Sequence, residues 1–411
     1  MKIYLVGGAV RDNLLKLPVK DRDWVVVGAT PNELIKKGFK QVGKDFPVFL
    51  HPKTFEEYAL ARTEKKLGVG YKGFQTNHSK RVTLNDDLIR RDLTINAIAQ
   101  DVKGNFIDPF NGIQDLKLRL LRHVSKAFKE DPLRILRVAR FSAQLSHLGF
   151  QVEKNTMKFM KIMVGTGELS FLTSHRIWNE TKKALISYSP HVYFYILRQC
   201  NALSVIFPEI NYLYNIKIKN LYFKNNNLGE HFLFSLSNFS KFNLSIELRF
   251  AFLCQFFIYY RYIYRINKKF KEDFFQSNLI KNMFIRLNIP IFIRKLSYIS
   301  SNNYFFLHNI FLKSSKDIIC LFNKIDVWRN PSIIIKLGIL SEYCIFFPEC
   351  KYHCKRYDIK NFLKIIFIIS SSISIKWIIK SGFKGYYIKK ELIKLRTLLL
   401  EIYRLKIFLI K

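Results

Sequence analysis

The sequence predicts an α/β head, with a mixed sheet and helices, followed by an all-α neck, body and tail. Three observations carry this reading. Short β-branched runs alternate with helix-like stretches over residues 1–110. From about residue 142 glycines are few and the pattern turns mostly helical. Between the two lies Asp108-Pro109-Phe110-Asn111-Gly112, whose composition marks a turn. At 411 residues the chain can hold a substantial core in several domains. The expected division is a head at 1–110, a neck at 111–170, a body at 171–330 and a basic tail at 331–411.

The first apolar run, Lys2 to Val6, reads as a strand. It runs into Gly7-Gly8-Ala9-Val10-Arg11-Asp12, a glycine turn that opens a helix. Asp21-Arg22-Asp23 then opens a second apolar run, Trp24 to Val27. Side chains alternate across a strand, so Asp21 and Asp23 are expected on one face. Two carboxylates that close repel unless a cation lies between them. Mg²⁺ suits the place, because it takes oxygen ligands and bridges to phosphates. Gly7 and Gly8 let backbone approach a triphosphate, and Arg11, one helical turn on, can grip the same phosphates bidentately. Each piece has a plainer reading alone. A Gly pair after a strand is usually a turn, and Asp-x-Asp on a strand is usually a solvated face.

Further along, Pro31 to Lys37 reads as a helix and the neighbourhood of Tyr58 to Ala61 as a strand. Lys65 to Phe74 is glycine-rich and basic; it is either a mobile loop near the phosphates or a hairpin connection. Glu57 is either a third metal-site carboxylate or a surface glutamate. In Arg90-Arg91-Asp92-Leu93-Thr94-Ile95-Asn96-Ala97-Ile98, Asp92 is expected to cap a helix with Ile95 and Ile98 among its apolar positions. Asn96 is a polar intrusion there. In Glu130-Asp131-Pro132-Leu133-Arg134-Ile135-Leu136-Arg137-Val138-Ala139-Arg140-Phe141, Pro132 suits a first helical position and Asp131 an N-cap. Arg134, Arg137 and Arg140 step by three along a drifting stripe, leaving Ile135, Val138 and Ala139 to pack.

Gly-Gly-x-Val-Arg-Asp followed by Asp-x-Asp resembles the signature of the tRNA nucleotidyltransferase and poly(A) polymerase family. Residues 1 to about 210 resemble, segment by segment, the bacterial CCA-adding enzymes, in particular the multifunctional kind of gammaproteobacteria. The resemblance implies a nucleotidyltransferase head, catalysis and Mg²⁺ binding by Asp21 and Asp23, and binding of ATP or CTP by Gly8, Arg11 and Arg91. It makes Asp108 to Gly112 the hinge between head and neck. It matches Glu130 to Arg134 to the family's Glu-Asp-x-x-Arg motif, in which Asp131 and Arg134 select the base. Arg137 and Arg140 fall where the family also contacts the nucleotide.

The chemistry of selection follows from the bases. Cytosine and adenine present an amino donor beside an unprotonated ring nitrogen; uracil and guanine present a carbonyl beside a ring N–H. A carboxylate accepting from the amino group and an arginine donating to the ring nitrogen accept C and A and reject U and G. A wrong base leaves buried polar groups unpaired, at about 1–3 kcal/mol each.

The formal charge of +37 favours a polyanionic partner. The resemblance makes that partner tRNA, held at its 3′ end and acceptor arm, and implies no membrane role. The strongest apolar run, Ile365 to Ile375, is broken by serines and bounded by Lys364 and Lys376, short of the ~20 residues of a membrane span. With no signal-peptide pattern before the Gly-Gly motif, a cytoplasmic location is expected. The six cysteines all follow residue 199 and form no disulfide framework. Cys344, Cys350, His353 and Cys354 match no common zinc spacing.

Family-like landmarks persist beyond the neck: His147 to Phe150, Phe207 to Ile210, Ile325 to Arg329, and Gly382 to Gly385 before a terminal basic helix. Between them the composition drifts to Phe, Ile, Tyr, Asn and Lys, the residues of A/T-rich codons. Most of the 38 Phe and 21 Tyr read as core, the remainder as possible stacking surfaces for RNA. One departure stands out. Leu248 to Cys254 resembles the approach to the His-Asp metal pair of a phosphohydrolase domain, but Gln255 and Phe256 follow. Phenylalanine binds no metal and glutamine is a poor substitute for histidine. His231 matches one remaining family histidine. The expectation is a lost phosphohydrolase in a retained helical body. The alternatives are a poly(A) polymerase of the same family, a tRNA-binding protein whose catalysis has decayed, and a retained hydrolase.

Overall fold

β1 (Lys2–Val6) and β2 (Asp23–Val27) pair antiparallel, Val6 opposite Asp23, and the helix between them is α1 (Gly8–Leu14). A computed structural model of the protein describes all residues except 43–47, 67, 69–73, 218–226, 267–272, 344–357 and 411. After β2 come α2 (Pro31–Lys36), β3 (Lys40–Val42), β4 (Val48–Leu50), β5 (Glu57–Leu60), β6 (Thr63–Lys66), β7 (Phe74–Asn77), α3 (Leu84–Ile89), β8 (Ala99–Asp101) and β9 (Phe106–Ile107). Seven strands form one sheet in the order β3-β4-β5-β2-β1-β8-β9, and β6 pairs with β7 in a hairpin. The sheet is mixed, as expected: β2 and β5 run parallel, bringing Asp23 beside Glu57, while the other pairs are antiparallel.

Alternation along β2 explains why the sheet is buried on both faces. Val25 packs with Val6, Leu88 and Ala99 on one side, and Val26 with Leu34, Phe49 and Leu60 on the other. Each Val, Leu or Phe among them contributes about 1.5–3 kcal/mol by leaving water. Helix α2 starts at a capping box, in which Thr30 accepts from the Glu33 N–H and Glu33 accepts from the Thr30 N–H. The glycine-rich stretch after Lys65 lies between β6 and β7, with 67 and 69–73 outside the described residues.

The turn at 108–112 is built by Asp108, whose carboxylate accepts from the N–H groups of Gly112 and Ile113 at 2.7 and 2.8 Å. Gly112 is required: a Cβ there would lie 2.3 Å from the Thr94 carbonyl oxygen. It opens α4 (Gly112–Leu118), followed by β10 (Leu120–Leu121) and α5 (Leu133–Leu145). Ile135, Val138 and Ala139 of α5 are fully buried, as expected, and so is Leu136. Then follow β11 (Gln151–Val152), parallel to β10, α6 (Lys154–Gly165), α7 (Ser174–Ile186), α8 (Pro190–Gln199), α9 (Ala202–Ile206) and α10 (Pro208–Tyr212).

The chain forms two compact units, residues 1–214 with 286–288 and residues 215–285 with 289–411. Across the second unit run α11 (Leu228–Ser240), α12 (Ile246–Ile266), α13 (Asp273–Arg286), α14 (Ile291–Asn302), α15 (Tyr304–His308), α16 (Ser315–Lys324), α17 (Ser332–Tyr343), α18 (Ile359–Ser371), α19 (Ile375–Lys380) and α20 (Tyr386–Ile410). Its phenylalanines build the interior: Phe232, Phe250, Phe252 and Phe256 are fully buried, and Phe239 stacks on Phe252 at 4.0 Å between ring centres.

One expectation about apolar runs needs amending. Ile359–Lys380, at 22 residues and a mean hydropathy of 1.9, has the length and composition of a membrane span. It is nonetheless two helices, α18 and α19, parted at Ser372–Ser374, with Leu363 and Ile366 buried. The longer has 13 residues, about 20 Å at ~1.5 Å per residue, short of the ~30 Å hydrocarbon core. Cys344, Cys350, His353 and Cys354 lie outside the described residues.

Candidate nucleotide site

A cleft of about 960 Å³ runs through the first unit, lined by Gly7, Gly8, Arg11, Asp21, Asp23 and Arg91 from the head, by Asp131 just before α5 and by Arg134, Arg137 and Arg140 along it. That volume is at the upper end of the ~300–1,000 Å³ of small-molecule sites. All nine residues expected at the site are therefore brought to one cleft, together with Glu57 and Arg176.

The head side begins with Gly7. Its φ of +71° turns β1 into α1, and a Cβ there would lie 3.0 Å from Arg91 Nη1, so glycine serves both the turn and the close approach. Asp23 is the first residue of β2, and Asp21 lies just before the strand. Burial in the cleft pushes the Asp23 carboxyl above its ordinary value; Arg91 and Arg137 pull it down, and nearby Asp21 pushes it up again. Asp21 and Asp23, close enough that Asp21 opposes the ionisation of Asp23, are a fitting donor set for a divalent cation that keeps waters and bridges to phosphate. Glu57 stands beside Asp23 in the sheet, but among the described residues no three His, Cys, Asp or Glu side chains converge as a metal cage. The third-ligand reading of Glu57 gains nothing.

Arg11 is buried and does not point freely into the cleft. It donates to Asn96 Oδ1 at 2.9 Å and to Asp12 Oδ1 at 2.8 Å, and lies over the Phe141 ring at 5.1 Å. Asn96 in turn donates to Asp92 Oδ1 at 3.1 Å, and Arg137 Nε donates to Asp92 Oδ2 at 2.6 Å. Burial alone would raise the Asp92 carboxyl, but Arg137 and the Asn96 bond outweigh it and hold the group well below the usual carboxylate range. Asp92 therefore does not cap a helix. Residues Thr94–Asn96 form a single 3₁₀ turn whose N-cap is Leu93, with no side-chain cap. The polar intrusion Asn96 joins the Gly-Gly helix to α5.

Arg91 is held against Asp87 at 3.0 Å and reaches the Asn96 carbonyl at 3.4 Å. Asp87 is fully buried and also pairs with Arg90. Burial would raise its carboxyl, and Arg91 and Arg90 reverse the shift.

The arginines of α5 are not a solvated row. Arg134 and Arg140 are buried. Arg134 donates to the carbonyls of Ala127 and Arg90. Arg140 Nε donates to Glu180 Oε2 at 2.5 Å, and its guanidinium lies 3.9 Å over Phe141. Asp131 Oδ1 accepts from the Leu133 N–H at 3.0 Å, but Pro132, not Asp131, is the N-cap of α5, and the helix begins at Leu133, so both expected positions shift by one residue. Its Oδ2 accepts from Arg176 Nη2 at 2.7 Å. Asp131 and Arg134 share the cleft without bonding each other.

Sequence reasoning missed Arg176 and Glu180, both on α7. Their only signal is the i, i+4 spacing of an Arg and a Glu on one amphipathic helix, common on any surface. Asp87, three and four residues before its partners Arg90 and Arg91, was missed too.

The sheet, the glycine turn into a short helix and the acidic start of β2 define a nucleotidyltransferase head. The poly A polymerase head domain matches residues 3–122, and a domain described as the probable RNA and SrmB-binding site of polymerase A matches residues 149–213. A CCA-adding enzyme of Buchnera aphidicola subsp. Acyrthosiphon pisum (strain Tuc7) is 51% identical over 413 residues, covering 99% of this chain and 98% of its own. That of Buchnera aphidicola subsp. Baizongia pistaciae (strain Bp) is 50% identical over 426 residues, covering 100% and 99%. The chain belongs to the CCA-adding enzyme family. Among solved structures, the Bacillus stearothermophilus CCA-adding enzyme in complex with CTP aligns with a TM-score of 0.63 at 19% identity, over 98% of this chain and 94% of that one. The Thermotoga maritima CCA-adding enzyme complexed with tRNA_CCA aligns at 0.60 and 19%, over 96% and 86%. At such identities what is shared is the fold.

Proposed function

We propose that this chain adds and repairs the 3′-terminal CCA of tRNA without a nucleic-acid template, using CTP and ATP. The tRNA 3′-hydroxyl attacks the α-phosphate of CTP, twice, and then of ATP, releasing pyrophosphate each time. The observation that carries this reading is one cleft lined both by the acidic pair Asp21 and Asp23 and by Asp131 with Arg134.

The residues divide the work. The Gly8 backbone, Arg11 and Arg91 bind the triphosphate; Arg11 is oriented by Asn96, and Arg91 by Asp87. Asp131 accepts from the amino group of C or A while Arg134 donates to the ring nitrogen. The donors that Arg134 does not use on Ala127 and Arg90 remain for that role. Arg137 and Arg140 flank the nucleotide. Asp21 and Asp23 hold Mg²⁺, which when bound lowers the hydroxyl pKa and screens the leaving pyrophosphate. The net charge of +37 favours holding the acceptor arm by phosphate contacts and shape. We assign the chain to the cytoplasm, where that substrate is found, and take head, neck, body and tail as its working divisions.

We further infer that the body has lost phosphohydrolase chemistry. Gln255 and Phe256 are buried, and the Phe256 ring packs 6.0 Å from the buried His231. Burial lowers the His231 pKa to about 4, the behaviour of a core histidine.

Purified tRNA lacking its terminal CCA, offered CTP alone, separates this function from poly(A) synthesis. Two added cytidines are expected. Extension with ATP alone into a long tail, and none with CTP, would mean a poly(A) polymerase.

A further inference from the structure

We propose that Arg176 is a positioning residue for base selection, fixing the carboxylate of Asp131 in the orientation in which it reads the incoming base. The inference rests on the reading of Asp131 as the base-selecting acceptor.

A carboxylate that discriminates by accepting must present a lone pair at one place, because a tilted group meets the wrong edge of the base. Asp131 lies in the turn before α5, where a side chain held by one bond could still swing. It is held by two, from different directions. The Leu133 N–H fixes Oδ1 at 3.0 Å, and Arg176 Nη2 fixes Oδ2 at 2.7 Å. Each carboxylate oxygen has two lone pairs, so two acceptor sites stay available to a base after both bonds form.

Arg176 is also anchored through its helix. Glu180, one turn further along α7, pairs with Arg140 at 2.5 Å, and both members of that pair are buried. Helix α7 thus holds the turn before α5 at Asp131 and α5 itself at Arg140. A fork that must meet an oxygen at a set angle asks for a planar guanidinium; an ammonium supplies the charge without the direction. Arg176 lines the cleft and bonds Asp131, so its effect should appear in selectivity before rate.

The test is single-nucleotide incorporation of CTP, ATP, UTP and GTP on tRNA substrates. It compares wild type, Arg176→Gln, Arg176→Lys, Asp131→Asn and the double variant Arg176→Gln/Asp131→Asn, with a melting curve for each. Arg176→Gln should raise UTP and GTP use relative to CTP and ATP about tenfold, the ratio that ~1.4 kcal/mol of lost discrimination gives. Arg176→Lys should recover part of the selectivity. In the Asp131→Asn background the Gln change should add little, because the group it positions is already altered. A purely structural salt bridge would lower the melting temperature and leave the nucleotide ratios alone, and that result overturns the proposal. So does an Arg176→Gln effect that persists undiminished beside Asp131→Asn. Unchanged selectivity in Asp131→Asn itself would bring down the reading of Asp131, and this proposal with it.

Discussion

The two units bury different things. In the first, charged side chains lie inside: Arg11, Asp87, Asp92, Asp115, Arg140 and Glu180 are buried in ion pairs and Arg134 is buried against backbone carbonyls, around or beside the cleft. In the second, the interior described is mostly Phe, Ile and Leu, and Arg249 and Arg396 are the buried charges among the described residues. Taking an ion out of water costs several kcal/mol, and a buried pair is weak evidence for stability. A chain that keeps so many on one side keeps them for geometry. The aliphatic and aromatic interior needs only volume and apolarity, and it tolerates a drift in composition that the cleft does not.

The sharpest way to break that contrast is Asp21→Ala. Incorporation should fall by about 10²-fold or more, the scale of a removed electrostatic contact at a reacting phosphate, while tRNA affinity holds. Rates and binding measured on one preparation check this, and incorporation close to wild type would remove the metal assignment.

Next in size is Asp92→Ala, which strands Arg137. Removing one member of a buried pair costs about 3–5 kcal/mol. The lower end is expected here, since Arg137 is partly exposed. Denaturant unfolding measures it, and a loss below ~1 kcal/mol would show the network to be dispensable, as a surface pair is. The Asp92 carboxyl is depressed in the folded state, so its contribution is present above the unfolded value near 3.9 and fades as pH falls below it.

In the second unit the dependence on pH has the same direction and a different cause. His231 is buried with its pKa lowered from 6.5 to about 4. A depressed histidine supports the fold above its unfolded pKa and withdraws that support as pH falls through the window from 6.5 to about 4. Over that window the loss is about 3 kcal/mol at ~1.36 kcal/mol per unit. Unfolding curves of His231→Gln between pH 7 and about 4 should be flatter than those of wild type. Parallel curves would mean that His231 is not held neutral. Added divalent metals should produce no 2′,3′-cyclic phosphodiesterase or phosphatase activity; metal-dependent turnover abolished by His231→Ala would restore the hydrolase reading.

Legibility in the sequence followed the range of the interaction. The Gly-Gly turn, the Asp-x-Asp start of β2 and the Asp108 turn are local, set by residues within five of one another, and were readable. The partners of those groups were not. Asn96 looked like an intrusion because its partners, Arg11 and Asp92, meet only after the head folds. Asp92 looked like a cap for the same reason: its true partner, Arg137, is 45 residues away. Arg176 lies equally far from Asp131. The arginine row was readable as a row, but its burial depends on Glu180 and on backbone carbonyls that no periodicity announces.

The central claim is that protein side chains in one cleft replace a template and yield a defined three-nucleotide end. The most direct measurement is sequencing of the 3′ ends of CCA-less tRNA after incubation with the protein, CTP, ATP, UTP, GTP and Mg²⁺. Termini reading C-C-A and stopping there are the expected result, with U and G absent from the added positions. Homopolymeric adenosine tails, mixed additions of all four nucleotides, or unextended ends would contradict it.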